Sequence, residues 1–288
     1  AHSPTSQPSS PAPRSLLAAP VQQRGHLELL TKVAGMIVEY EVLERVGLIR
    51  LNRPEARNAI NGAMAKAIEA AIDQLEHDDE AWVGVLCANG SAFCAGADLK
   101  VIAAGLADLA TERGGFAGLV NRNRNKPLIA AVEGPAVAGG TEIVLACDLV
   151  VASTGARFGI PEVKRSLIAA AGGLFRLPRV LPPRVAMELA LTGADLSATD
   201  AHHHGMVNRL VEPGRALEGA LELAAEINAN APLAVRASRR SILATSLLPD
   251  NEANAVVAEE SRAVWHSEDF NEGPSAFIEK RPPVWKGR

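Results

Sequence analysis

Apolar runs along this chain change period several times, and each change predicts an element. Ile37–Asn52 alternates apolar and polar residues and predicts two short strands joined by a turn at Glu44 to Gly47, the second (VGLIRL) β-branched and apolar. Asn52–Ile60 predicts a loop. Asn61 then predicts an N-cap for an amphipathic helix to about His77, with Ala63, Ala67, Ala70, Ala71 and Leu75 on its inner side. Trp82–Ala88 predicts a buried strand, and Asn89–Lys100 a small-residue loop running into a helix start with Asp98 in its first turn. The polar stretch to Asn125 predicts a partly exposed helix weakened by Gly114, Gly115 and Gly118. Leu128 opens a further strand. Ala130–Asp148 predicts a buried strand, a glycine-rich turn and a short helix bearing one acid, Glu142.

Beyond it, Asp148–Ser153 predicts a strand and Ala156–Leu167 a loop carrying a second acid, Glu162. Gly172–Gly193 predicts two short helices split by Pro182–Pro183. From Ser197 the pattern turns helical: a capped helix, one short strand (VNRLV), and helices over Gly214–Asn228, Pro232–Thr245 and Asn251–His266. Strands alternating with helices, then mainly helices, predict an α/β core over residues 36–196 with a helical segment over 197–288. Residues 1–35, rich in Pro, Ser and Ala, cannot build a core and predict a disordered N-terminal extension, so the fold is expected to begin near Met36. They lack the basic start and apolar block of a signal peptide.

Composition narrows the function classes. A net charge of −4, with no basic aromatic patch, argues against a nucleic-acid or anionic-membrane surface. No apolar run approaches the roughly 20 residues of a membrane span. Cys87, Cys94 and Cys147 have no metal-ligand spacing and suit a reducing cytoplasm. His202–His204 cannot share a metal from one helix face, because adjacent residues point apart, and predicts a solvated helix end. Gly134–Thr141 resembles a phosphate loop but has Gly140 where the lysine is needed. No G-x-G-x-x-G follows a strand, and no G-x-S-x-G elbow is present. Neither a metal nor a cofactor is expected.

The strand, small-residue loop and helix of Trp82–Lys100 are repeated at Leu128–Ala146. Both loops run into helix starts, AGAD and AGGTE, whose free N–H groups carry partial positive charge. Two such ends side by side would offer two backbone donors to one oxygen anion. A carboxylate as near a helix start as Glu142, amid apolar residues, is costly to bury without a purpose. Glu142 and Glu162 could be a helix cap and a surface acid, or a general acid and base beside such an anion site. The reaction class would then be one that builds charge on a carbonyl oxygen.

The stretches LNRPEARNAIN, GSAFCAGADLK, KPLIAAVEGPAVAGGTE, ARFGIPEVK, AAAGGLFRLPRVLP and EGPSAFIEKR occur in the order found in the enoyl-CoA hydratase/isomerase (crotonase) family, which the chain resembles from about Ile37 onward. The resemblance implies a crotonase-like spiral of ββα units, a C-terminal helical trimerisation domain, a homotrimer or homohexamer, and an acyl-CoA thioester substrate. It implies the amides of Ala97 and Gly139 as the oxyanion hole, and Glu142 and Glu162 as the catalytic acids. Ala56, Ala95, Asp98, Leu99, Lys100, Gly140, Gly172 and Lys280 fall at positions expected to contact substrate or CoA, with residues 101–125 lining the acyl pocket. Coenzyme A enters only as part of the substrate. The implied activity is 2-enoyl-CoA hydration. Isomerisation or dehydration of a bulkier acyl-CoA, steroid-derived or carnitinyl-like, is the alternative, and a non-catalytic acyl-CoA binder a third. Short-chain hydratases of the family usually show I-P-G-A-G-G where this chain has Ile168-Ala169-Ala170-Ala171-Gly172-Gly173, and Thr141 stands where Cys is frequent.

Overall fold

The structure, a computed structural model, describes residues 36–105 and 108–288. The extension expected over residues 1–35 lies outside the described residues. The fold opens with a hairpin, β1 (Val38–Leu43) and β2 (Val46–Leu51), paired in register from Val38↔Leu51 to Leu43↔Val46. Its turn is tighter than the expected Glu44–Gly47. Glu44 and Arg45 both take left-handed φ (48° and 68°), which matches the right-handed twist of the two strands.

Asn61 caps α1 (Gly62–His77) as expected, its side chain accepting from the Met64 N–H at 2.9 Å. Of the expected inner side of α1, Leu75 and Ala71 are buried and Ala67 partly so, but Ala63 and Ala70 face solvent, and Met64, Ala65, Ile68 and Ile72 complete the buried face. Burying a large aliphatic side chain contributes about 1.5–3 kcal/mol and an alanine far less, so the larger residues set the rotation of the helix.

After β3 (Val83–Ala88), among the described residues only α2 (Leu99–Ala103) is helical in the stretch expected to be helix up to Asn125. It continues instead as a small hairpin, β4 (Ala110–Thr111) and β5 (Gly115–Phe116), followed by turns. Gly115, Ala117 and Gly118 take φ of 65°, 56° and 65°, a run of left-handed residues that a right-handed helix cannot accommodate.

Next come β6 (Leu128–Val132), β7 (Ala136–Val137), α3 (Gly139–Ala146), β8 (Leu149–Ser153) and β9 (Arg157–Gly159). Past a short 3-10 turn over Pro161–Arg165 lie α4 (Gly173–Val180) and α5 (Pro183–Thr192), separated at the expected proline pair with Pro183 in the first turn of α5. The chain closes with β10 (Asp195–Ser197), α6 (Ala198–His203), β11 (Arg209–Val211), α7 (Ala216–Asn228), α8 (Pro232–Thr245), α9 (Asp250–Trp265) and α10 (Glu268–Glu279). The last of these was not expected, because Gly273 and Pro274 fall inside it. His202 and His203 are exposed at the end of α6, and no metal-binding cluster occurs among the described residues.

Six strands form the main sheet in the order β1-β2-β3-β6-β8-β11, parallel from β2 onward. Successive residues of the inner strands face opposite layers. Leu86, Leu128, Ala130 and Val132 pack in the larger core with α1 and α3, whereas Val83, Val85, Ile129 and Ala131 pack with Ala220 and Ala224 of α7. Burial on both faces explains why these strands are continuous apolar runs. Cys87 and Cys94 are buried free thiols, Cys147 is a third and partly buried one, and no disulfide occurs among the described residues. No helix among them is long and apolar enough to cross a membrane.

Candidate active site

A second, three-stranded sheet, β10-β9-β7, assembles the site. Parallel pairing of β7 with β9 sets Val137 opposite Gly159, so α3 and the 3-10 turn start side by side, and Glu142 and Glu162 are delivered from adjacent supports. A parallel bridge between Cys94 and Ala136 ties in the third support. Counting forward from that bridge, Ala97 and Gly139 are each three residues on, which sets the twin helix starts next to each other. Gly96 makes this approach possible. Its φ is +87°, and a Cβ there would lie 2.8 Å from both the Gly139 nitrogen and the Ala138 Cβ. Among the described residues, neither the Ala97 nor the Gly139 N–H donates a backbone hydrogen bond, while their neighbours do: Asp98 N–H to Ile60 O at 2.8 Å and Ala138 N–H to Gly159 O at 2.8 Å. Thr141 locks the joint. Its hydroxyl lies 2.7 Å from Ala136 O and 2.8 Å from Gly159 O, and accepts from the Gly159 N–H at 3.0 Å.

Glu142 is 3% exposed. Burial pushes its carboxyl above the usual carboxylate range, opposed by the amides of Gly173 and Ala171 and by the Arg176 guanidinium. The Gly173 N–H donates to Glu142 Oε1 at 2.9 Å. Glu162 is different. Burial, reinforced by the nearby Glu142 charge, pushes it up to about 7 against only its own backbone N–H. Its Oε2 is buried and has no hydrogen-bond partner among the described residues. The two carboxyls are thus unlike in their surroundings: Glu142 is held by amide donors beside a guanidinium, and Glu162 keeps one buried oxygen with no partner among the described residues.

Both carboxyls line one cavity of about 740 Å³. The sequence-predicted residues Ala95, Ala97, Leu99, Gly139 and Gly172 line it as well. Ala56, Asp98, Lys100, Gly140 and Lys280 do not. Asp98 caps α2 through the Lys100 N–H and pairs with Arg53 at 2.9 Å, which holds its carboxyl below the usual range despite its burial. Gly140 is packed onto the Cys94 carbonyl, with no room for a side chain. Lys100 is exposed on α2, and Lys280 is exposed at the end of α10 with φ 54°.

Ile102, Leu109, Phe116 and Val120 form an apolar wall, drawn from the stretch expected to line an acyl pocket. Phe116 was not singled out from the sequence, although a phenylalanine in a glycine-rich stretch of a chain with only six is a usable signal. Arg57 and Arg165 add positive charge to the lining, and Leu167 and Ile168, 41% and 65% exposed, put apolar side chains around it. An oxygen anion at the paired amides, a partly apolar chamber and two unlike carboxyls suit proton transfer next to a thioester carbonyl.

The model of the enoyl-CoA hydratase/isomerase family matches residues 41–288. The chain belongs to that family. Among its relatives, the enoyl-CoA hydratase EchA19 of Mycobacterium tuberculosis is 41% identical over 256 residues, covering 86% of this chain and 96% of the relative. The carnitinyl-CoA dehydratase of Salmonella heidelberg is 42% identical over 247 residues, 83% of this chain and 94% of the relative. A crystal structure of an enoyl-CoA hydratase from Mycobacterium tuberculosis H37Rv superposes with a TM-score of 0.85 at 47% identity, covering 88% of this chain and 100% of that one. The crotonase fold expected from the sequence motifs is therefore the fold of this chain. Within it, the paired helix starts and the two acids occupy one chamber.

Proposed function

We propose that the protein hydrates 2-enoyl-CoA thioesters. The observation that carries this reading is the convergence of Glu142, Glu162 and the unengaged amides of Ala97 and Gly139 on one cavity. The thioester oxygen accepts from the two amides, which stabilise the charge it gains and do not titrate. Glu142, ionised, takes a proton from water as that water's oxygen bonds to the β-carbon. The C2–C3 π pair moves toward the carbonyl, giving an enolate whose oxygen rests on the amides. Glu162, protonated, delivers its proton to the α-carbon, and the enolate collapses to the 3-hydroxyacyl thioester. The reverse sequence expels water.

Supporting the division of roles is the contrast between a carboxyl held by two N–H groups and one with a bare buried oxygen. Loss of the conjugated-thioester absorbance on adding crotonyl-CoA or longer enoyl-CoAs tests the activity. Either single Glu→Ala change should cost about 10²–10⁴-fold in rate. Turnover at the unaltered level in the Glu142→Ala, Glu162→Ala double variant would sink the mechanism.

A second reading, dehydration of a bulkier or polar 3-hydroxyacyl-CoA, draws on the carnitinyl-CoA dehydratase relatives and on the Ala169–Ala171 run beside the acids. Product analysis over acyl-CoAs of different bulk separates the two. In the same reading Lys100 and Lys280 approach the CoA nucleotide. The assembly is a homotrimer or homohexamer formed through the C-terminal helical segment, where Leu247, in the turn between α8 and α9, and Phe277 and Ile278 on α10 are 76%, 85% and 78% exposed. The free thiols suit a reducing cytoplasm.

A further inference from the structure

Arg176, on α4, contributes nothing to the chemistry just described, yet its guanidinium connects two walls of the chamber. Nη1 donates to the Ala171 carbonyl at 3.2 Å and Nη2 to the Val120 carbonyl at 2.6 Å. The residues at both ends of this brace matter to the site. Ala171, Gly172 and Gly173 form the turn whose amides hold Glu142, and Val120 belongs to the apolar wall that includes Phe116. Gly172 takes φ +114°, and a Cβ there would run into Arg176 Nη1, so the turn and the guanidinium fit only as a pair. The planar group also stacks over Phe175 at 4.8 Å, and Phe175 lines the cavity too. Among the described residues no carboxylate meets Arg176 at ion-pair distance. Its donors go to main-chain carbonyls, an unusual use of a half-buried cation.

We propose that Arg176 is a positioning residue for Glu142, bracing the Ala171–Gly173 turn against the Val120 segment so that the carboxyl stays aimed at the oxyanion amides. The proposal rests on the reading of Glu142 as the base. An arginine fork is required because the two carbonyls lie on different segments. A lysine ammonium can supply the charge but not both divergent donors in one plane. Displacing a reacting group by about 1 Å costs on the order of 10²-fold in rate, so the brace should be visible in kcat and not in KM.

Charge supplies a second, separable signature. The charged groups around Glu142 are Arg176 and the more distant Arg179 on α4, Glu162 and Arg165 from the 3-10 turn, and Arg57 across the chamber. Of these, Arg176 is the cation that opposes the upward push of burial on Glu142. Its removal lets that carboxyl hold its proton to higher pH, and the acid limb of the rate profile moves up.

Steady-state hydration of crotonyl-CoA across pH, for the unaltered protein and for Arg176→Gln, Arg176→Lys and Glu142→Gln, tests both signatures. Arg176→Gln should lower kcat about 10²-fold, leave KM within about threefold and shift the acid limb to higher pH. Arg176→Lys should also lower kcat, but with its acid limb unmoved. Should the Gln variant fail to fold by circular dichroism, the Lys variant decides alone: unaltered kcat overturns the proposal, and a reduced kcat with an unshifted limb supports it. A rise in KM at constant kcat, or full activity in Arg176→Gln, also overturns it. Full activity in Glu142→Gln overturns the underlying reading and this proposal together. An inactive Glu142→Gln beside an unaffected Arg176→Gln removes only the proposal.

Discussion

Glu162→Gln removes a charge that the fold accommodates at a cost, and the effect can be worked through. Burial first, then the Glu142 charge, moves the carboxyl from 4.5 to about 7 in the folded chain. Each tenfold change in acidity corresponds to ~1.36 kcal/mol, so the ionised form costs the fold at most ~3 kcal/mol. Solvent at the half-open chamber screens part of that, leaving about 1–2 kcal/mol. The sign is set by the folded value lying above the unfolded one. The penalty is absent below about 4.5, where both states are protonated, and complete above about 7, where both are ionised. Glu162→Gln should therefore be more stable than the unaltered protein by about 1–2 kcal/mol at pH 8 and nearly equal to it at pH 4.5, while losing hydration about 10²–10⁴-fold. Urea unfolding followed by circular dichroism reads the gap. Protein concentration is held constant, because association would add its own dependence. A variant no more stable at pH 8, or one whose advantage persists unchanged at pH 4.5, would refute the argument that Glu162 is a strained, proton-holding acid.

Other perturbations test the walls of the chamber. In Gly139→Ala the new Cβ would meet the Phe116 ring, with Cε1 about 2.5 Å away, so kcat should fall at least tenfold, and Phe116→Ala in the same chain should restore part of it in a double-mutant cycle. Alone, Phe116→Ala should raise the kcat/KM of bulkier enoyl-CoAs relative to crotonyl-CoA, by about 10–200-fold per the worth of one pocket contact, measured by competition between the two substrates. Thr141→Val leaves the buried Gly159 N–H without its partner and should cost about 1–3 kcal/mol in thermal or urea unfolding. If the proposed roles hold, with Glu162 delivering a proton, the hydration rate should decline as pH rises through about 7, and a rate flat to pH 9 would contradict them.

Features that depend on a few neighbouring residues were legible from the chain itself. Asn61 and Ser197 cap their helices through their own side chains, and Pro183 begins α5, because capping and ring constraints act within one turn. The ordered motifs located both helix starts and both acids before any contact was known. Misreadings occurred where burial competes between alternatives. On the inner face of α1, Met64, Ile68 and Ile72 are buried where Ala63 and Ala70 were expected, and the stretch after α2 yielded to left-handed residues at Gly115, Ala117 and Gly118. Tertiary structure alone decided that Glu142 and Glu162 share a chamber, through the Val137↔Gly159 and Cys94↔Ala136 pairings between distant segments. It also decided that the Gly173 amide holds Glu142 while one Glu162 oxygen is left without a partner, that Phe116 closes on Gly139, and that Arg176 bonds the Ala171 and Val120 carbonyls beside Glu142. Strand register and desolvation are properties of the assembled chain. Local sequence can place a carboxylate on a helix, but only its packed surroundings set the proton it carries and the atom it faces.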